Sequence, residues 1–190
     1  MRLILASASP RRLDLLARIG VTPAAVDPAD IDERVRPGEL PRDHAARLAS
    51  EKAAAVAERF PDDLILAADT VVAVGRRILP KVEDEATMRQ CMALLSGRRH
   101  RVMTGVALAL PGGAVRTRLV ETMIAIKRLS PQEIDYYADH GEWRGKAGGY
   151  ALQGYGEVYV RHIAGSYSNV VGLPLAETRH LLKSAGYDLA

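Results

Sequence analysis

Two polar residues interrupt an apolar run at the point where burying them costs most. The stretch Leu64–Val74 reads Leu-Ile-Leu-Ala-Ala-Asp-Thr-Val-Val-Ala-Val, with Asp69 and Thr70 side by side in its middle. A short, continuously apolar run rich in β-branched residues is the pattern of a strand covered on both faces. An ionised Asp there must be paired, hydrogen-bonded or bound to a metal. Asp69 and Thr70 could instead end the strand and turn to solvent, but Val71-Val72-Ala73-Val74 resumes it at once. Asp69 is therefore a candidate functional carboxylate.

A second group of chemistry-bearing residues is Ser7-Ala8-Ser9-Pro10-Arg11-Arg12. Ser9 suits an N-cap and Pro10 the first helical position. The helix start is then charged against its dipole, because Arg11 and Arg12 occupy a first turn that favours acids. Two serine hydroxyls, helix N-terminal N–H groups and two guanidinium forks make an anion receptor, and Ser9, Arg11 and Arg12 are expected to bind substrate. Lys52 lies in the middle of the apolar stripe Ala45, Leu48, Ala49, Ala53, Val56. It either snorkels to the rim or points into a site. Arg47, Glu51 and Glu58 fall on the opposite side of that helix, which the pattern assigns to solvent. The loop 27–40 is acidic in its first half, so Asp30, Asp32 and Glu33 are possible oxygen ligands for a hard cation. Lys81 adds one more cation. An anion receptor, lysines, a strand carboxylate and an acidic loop together suggest a phosphate ester or anhydride bound with Mg²⁺.

Elements of both periods are needed to position these groups. The pattern predicts strands at 3–6 and 64–74, and helices at 10–19 and 41–59. A further helix is expected at 83–95, and paired extended runs at 99–110 and 114–127 around Pro111-Gly112-Gly113. Ser130-Pro131-Gln132-Glu133 is a capping box opening a helix that ends near His140-Gly141. Residues 141–156 carry six glycines, a density that permits close backbone approach to a ligand or simply a flexible loop. A last strand is expected at 158–163, a turn at 165–169 and a terminal helix at 174–184. The 190 residues fit one domain, and no linker or repeat divides them.

Composition removes several function classes. A net charge of +3 generates no field that would reach for nucleic acid or anionic lipid, and 5% aromatics is too few for a base-stacking platform. Cys91 is the only cysteine, so no intrachain disulfide can form. The five histidines show no zinc-ligand spacing. The apolar start is too short for a signal peptide and no run is long enough to span a membrane, which makes a cytoplasmic protein the expectation. There is no G-x-x-x-x-G-K-[ST] loop and no G-x-G-x-x-G between strand and helix. No nucleophilic Ser or Cys arrangement appears, so a carboxylate activating water fits better than a covalent mechanism.

Seven segments together resemble the Maf family of nucleoside triphosphate pyrophosphatases. They are Ser7–Arg12, Ser50-Glu51-Lys52-Ala53, Ala68-Asp69-Thr70-Val71-Val72, Leu95-Ser96-Gly97, Lys146-Ala147-Gly148-Gly149-Tyr150, Leu152-Gln153-Gly154 and the run 165–174. The resemblance covers nearly the whole chain in order. It implies an ITPase-like (Maf/Ham) α/β fold, an elongated mixed sheet flanked by helices, in two lobes with a cleft. It also implies a divalent-cation-dependent reaction (Mg²⁺ or Mn²⁺), NTP + H₂O → NMP + pyrophosphate, and makes a homodimer plausible. Matched position by position, Asp69 resembles the family's proton acceptor, with a metal-ligand role also open to it and to Glu33. Glu33, Lys52 and Lys81 match its other catalytic positions, and Arg11, Thr70 and Gln153 those that set base preference. The motif departs from the usual Lys-Pro at Leu79-Pro80-Lys81-Val82, where the Pro precedes the Lys. Gln153 offers both a donor and an acceptor, complementary to the O4 and N3–H edge of thymine or uracil. In the family, Gln here resembles the dTTP/UTP branch and Glu the 7-methyl-GTP branch. The family also carries an association with septum formation, so a nucleotide-binding regulator of cell division is the alternative from another class.

Overall fold

The strand that carries Asp69 is continuous through its two polar residues. In the computed structural model, which describes residues 1–189, β3 spans Leu64–Val74 without a break at Asp69-Thr70. Ahead of it lie β1 (Leu3–Leu5), α1 (Pro10–Arg18), β2 (Ala25–Val26) and α2 (Pro41–Ala57). After it come β4 (Arg77–Leu79), β5 (Lys81–Val82), α3 (Glu85–Leu95), β6 (Arg99–Ala109) and β7 (Val115–Ile126). The chain closes with α4 (Pro131–His140), β8 (Lys146–Ala147), a 3-10 turn (Tyr155–Tyr159), β9 (Val160–Ala164), α5 (Tyr167–Val171) and α6 (Leu175–Ser184).

The main sheet is mixed, in the order β2-β1-β3-β6-β7-β9, with β4 also paired to β3. β1 runs parallel to the first part of β3 (Leu3–Leu5 beside Leu64–Leu66), whereas β4 runs antiparallel to its last part (Leu79 beside Val72). The opposite edge of β3 is paired to β6 almost throughout, from Ile65 to Ala73. Residues 68–71 therefore have no strand beside them on the β1/β4 edge. The sheet has a notch there, and Asp69 and Thr70 stand in it. A notch serves both faces of a sheet, which matters because successive side chains point to opposite faces.

The core divides at the same notch. On one side, β1, α1, α6 and the first half of β3 bury Leu3, Leu5, Leu15, Leu16, Leu64, Leu66, Leu181 and Leu182. On the other, Val72 and Val82 join Met88, Met92, Leu95, Tyr137, Trp143 and Tyr159. The long strands β3 and β6 contribute to both clusters, giving the two lobes with a cleft that the resemblance implies. α2 packs across the sheet under the notch through Ala45, Ala49 and Ala53. Its close approach needs a glycine in the sheet. Gly105, the cross-strand partner of Asp69, would drive any Cβ into the Ala45 carbonyl.

Helix ends follow local sequence. Ser130 and Glu133 form the expected capping box, and α4 ends at Gly141 in the left-handed region (φ 74°). Asp84 caps α3 by accepting the Thr87 N–H at 2.8 Å, which starts that helix two residues later than its acidic run suggested. The chain after Gly154 departs more. A 3-10 turn occupies the start of the expected 158–163 strand, and the expected turn at 165–169 is in part a short helix capped by Ser166. No helix among the described residues is long and apolar enough to cross a membrane.

Candidate active site

At the centre of the notch, Lys52 Nζ lies 2.6 Å from Asp69 Oδ1 and 2.7 Å from Glu33 Oε1. Each partner arrives by a different device. Asp69 faces the α2 side of β3, in phase with Ala67 and Val71. Lys52 sits on the buried stripe of α2, one helix face shared with Ala45, Leu48 and Ala49. Glu33 reaches in from the loop 27–40, its own side chain more than half exposed. The lysine thus points into a site rather than snorkelling to the rim. Its ammonium supplies the partner that a carboxylate in an apolar strand requires.

Of the acidic loop's three candidate ligands, only Glu33 lines the cleft. Asp32 turns back on Arg34, which holds its carboxyl below the usual range through three side-chain hydrogen bonds and a backbone one. The loop is fastened by Arg47. Its guanidinium donates to Glu39 (2.5 Å), to Glu51 (2.9 Å) and to the main-chain carbonyl of Arg34 (3.1 Å). Glu39 also lies 2.9 Å from His44 Nδ1. The helical pattern placed Arg47 on a solvent face, but here that face is covered by the loop and its side chain is only 13% exposed.

The anion receptor at the start of α1 has a different internal arrangement from the one its sequence suggests. Ser9 occupies the N-cap position, but its side chain makes no cap bond. Ser7 is the engaged serine. Its hydroxyl accepts the Ser9 N–H at 3.2 Å and Arg12 at 2.8 Å. Arg12 also donates to the Gly172 carbonyl at 2.9 Å, so it braces the start of α1 against the end of α5. Arg11 makes no such bond and lines the cleft. Burial pushes the Arg11 and Arg12 guanidinium groups below their ordinary range, although both stay charged at neutral pH. Burial also lowers Lys146, and the positive charge of Arg11 lowers it further.

Thr70 faces the opposite side of β3 from Asp69. Its hydroxyl lies 3.0 Å from that of Thr104, which donates to the Asn169 carbonyl, also at 3.0 Å. That chain of bonds orients the Thr70 hydroxyl. Lys81 begins β5, beyond the break made by Pro80, with its side chain 69% exposed and only a loose 3.8 Å contact to Glu83. Gln153 is exposed on the far wall. Asp69, Glu33, Lys52, Lys81, Ser9, Arg11, Arg12, Thr70 and Gln153 all line one cleft of about 570 Å³, within the range of small-ligand sites.

The segment 141–156 is an ordered wall, and its glycines approach protein rather than leaving the chain loose. Gly148 (φ 70°) packs its backbone onto Val72, where a Cβ would come within 2.9 Å. Sequence reading assigned no role to Lys146, Tyr150 or Glu142 in this wall. Lys146 and Tyr150 both line the cleft. Tyr150 bonds the buried His100 of β6 (2.7 Å), and burial holds that histidine down to about 4. Lys146 and Tyr150 lie in one of the segments that carry the family resemblance, whereas Glu142 had only its place in the glycine-dense stretch.

Five cationic side chains (Arg11, Arg12, Lys52, Lys81, Lys146) and two carboxylates line the cleft, so its excess equals the chain's whole formal charge of +3. The remaining surface is balanced, and the cleft suits a small polyanion. Among the described residues no three acidic, His or Cys side chains are grouped as a metal cage. The second oxygens of Asp69 and Glu33 are left over from Lys52, however. Two carboxylates that share a cation with substrate phosphates are a normal Mg²⁺ arrangement.

Comparison with known proteins agrees with this chemistry. Residues 2–185 match the family described as Maf-like protein. A dTTP/UTP pyrophosphatase of Caulobacter vibrioides is 62% identical over 185 residues, covering 97% of this chain and 96% of that one. Another, of Paramagnetospirillum magneticum, is 61% identical over 185 residues and covers 97% of each. Among solved structures, a HAM1 protein from Coxiella burnetii shares the fold at a TM-score of 0.53 and 15% identity, over 96% of this chain and 98% of that one.

Proposed function

The chain belongs to the Maf family, and from that premise we propose that it hydrolyses dTTP and UTP to the monophosphate and pyrophosphate. The observation that carries the reading is the Lys52-bridged pair Asp69 and Glu33 in a notch whose other charges are cationic. The close relatives bearing the name dTTP/UTP pyrophosphatase support the same substrate for this chain.

In this reading Asp69 is the general base. Its Oδ1 is held by Lys52, which leaves Oδ2 to take a proton from water as the water oxygen bonds to the α-phosphorus. The bond from that phosphorus to the α–β bridging oxygen breaks, and the oxygen leaves with pyrophosphate. Lys52 keeps Asp69 and Glu33 close together despite their like charge. Arg11 and the free Ser9 hydroxyl receive phosphate oxygens at the start of α1, where the helix dipole adds to their charge. Lys81 and Lys146, on the opposite lip, neutralise charge building on the leaving group. Arg12 acts mainly as the brace that holds this cradle to Gly172. The free oxygen of Glu33, with Asp69 beside it, would hold a divalent cation such as Mg²⁺ or Mn²⁺, which would supply charge neutralisation at the phosphates. Thr70 and Gln153 contact the base, with the Gln153 amide pairing to the O4 and N3–H edge.

Purified protein with Mg²⁺ should convert dTTP and UTP to monophosphate and pyrophosphate in equal amounts, with CTP and 7-methyl-GTP turned over more slowly. Release of orthophosphate instead, or a preference for 7-methyl-GTP, would overturn the assignment.

A further inference from the structure

We infer that Glu142 is a positioning residue for base selection, acting by fixing the turn that presents Gln153. The inference rests on Gln153 as the base reader, and deepens that reading. Oε2 of Glu142 accepts the Tyr155 N–H at 2.8 Å, and Oε1 accepts the Gly156 N–H at 2.6 Å. One carboxylate thus takes two successive main-chain donors that begin two residues after the reader, in charge-assisted bonds of the stronger kind. Between reader and clamp lies Gly154. A Cβ at that position would overlap Glu142 Oε2, so the carboxylate lies flush against the backbone beside Gln153.

The same turn is held from its other end. The Ala151 N–H donates to the Tyr137 hydroxyl at 3.1 Å, and the Gly154 N–H reaches the Ala151 carbonyl at 3.4 Å. Glu142 is itself immobilised. Lys146 Nζ donates to its carbonyl at 2.8 Å, and the neighbouring Trp143 is anchored by an indole bond of 2.9 Å to the Ala138 carbonyl. Gln153 is therefore an exposed side chain on a turn tied down on both sides, with its own side chain free of internal bonds among the described residues.

Such a mounting is what an amide reader needs. A primary amide presents a donor and an acceptor, and a rotation that exchanges them converts a match for uracil or thymine into a match for cytosine. The exchange itself is a side-chain rotation, so what the backbone sets is the distance and inclination at which the amide meets the base edge, and discrimination depends on both. Glu142 never touches the nucleotide in this arrangement. Its effect is on preference rather than on the chemical step.

The test is the ratio of kcat/KM for dTTP over dCTP, and for UTP over CTP, in wild type, Glu142→Ala and Glu142→Gln. In Glu142→Ala both ratios should fall about tenfold, through KM for dTTP and UTP, with kcat within about threefold of wild type. Glu142→Gln should be intermediate, because its amide oxygen can still accept one of the two N–H groups. Gln153→Ala should lower the same ratios, and adding it to Glu142→Ala should lower them no further. An unchanged ratio, or an equal loss for all four nucleotides, overturns the inference and leaves Glu142 structural. Should Glu142→Ala not fold, Glu142→Gln alone decides. Should the wild type release no pyrophosphate, the pyrophosphatase reading is what fails. The same ratio is then read from equilibrium binding of dTTP and dCTP in the presence of chelator. Preference lost in the variants supports the inference, while preference retained, or absent from wild type, overturns it.

Discussion

The two walls of the cleft are built by opposite means. The floor carries Asp69 and Lys52 on the middles of a long strand and a long helix, fixed by ladders and an alanine stripe. The far wall, residues 141–156, holds its place through left-handed glycines, a 3-10 turn and side chains that capture main-chain N–H groups. The division matches what each wall is proposed to do. A base and its ammonium partner must keep one geometry for every substrate, and regular elements hold positions with little play. A base-reading wall has to match one edge among several similar ones, and irregular backbone offers orientations that a ladder forbids. Charge is concentrated on the floor and around the helix start, whereas the far wall presents a neutral amide at its tip and one cleft-lining cation, Lys146.

The largest expected effect lies on the floor. Asp69→Asn keeps the shape of the side chain but cannot take the proton. It should lower kcat by about a thousandfold while dTTP affinity changes only a few-fold. A loss below tenfold, measured as pyrophosphate release at saturating dTTP, would move the base elsewhere. It would also blur the contrast with Glu142, whose variants should alter preference and spare kcat.

A packing change tests whether the floor depends on its regular elements. Gly105→Ala places a Cβ against the Ala45 carbonyl, a backbone atom that cannot rotate away. It should destabilise the fold by about 3 kcal/mol in chemical unfolding. It should also depress kcat for all nucleotides equally, because α2 shifts and carries Lys52 with it. A drop in the dTTP/dCTP ratio instead would mean that the walls are not independent.

The smallest effect concerns the bond that ties the far wall to the sheet. His100 is 2% exposed and burial holds it down to about 4, so near neutrality it is uncharged in the folded protein. As pH falls below the unfolded value of about 6.5, the unfolded chain takes the proton first. Stability is therefore fully present above that value and is lost progressively as pH falls towards 4. Between pH 7 and 5 the loss should be about 2 kcal/mol, and His100→Gln should flatten that part of the profile. An identical slope in the variant would remove His100 as its source.

Much of the floor was legible from the chain alone. The apolar run with Asp69 in it matched β3 residue for residue, and the Ala-rich stripe placed Lys52 on the inner face of α2. These signals are local, since period 2, period 3.6 and capping residues report how each segment must lie before any partner is known. The far wall was less legible. Six glycines in 141–156 signal unusual backbone, but not whether it closes on a ligand, on solvent or on Val72 and the carboxylate of Glu142. Arg47 shows the same limit. Its place on α2 pointed to solvent, and only the loop 27–40 folding over it gave it Glu39 and the Arg34 carbonyl to hold.

By itself, then, the sequence determined which of the long segments form strands and helices, that Asp69 would be buried and in need of a partner, and which family the chain resembles. The tertiary structure alone decided that the partner is Lys52 with Glu33 joined to it, that β1 and β4 stop short of residues 68–71, and that Glu142 clamps the Gln153 turn. The physical reason is range. Propensity and periodicity act between neighbours in the chain, while an ion pair, a gap in a sheet edge and a captured N–H each depend on where distant segments come to rest.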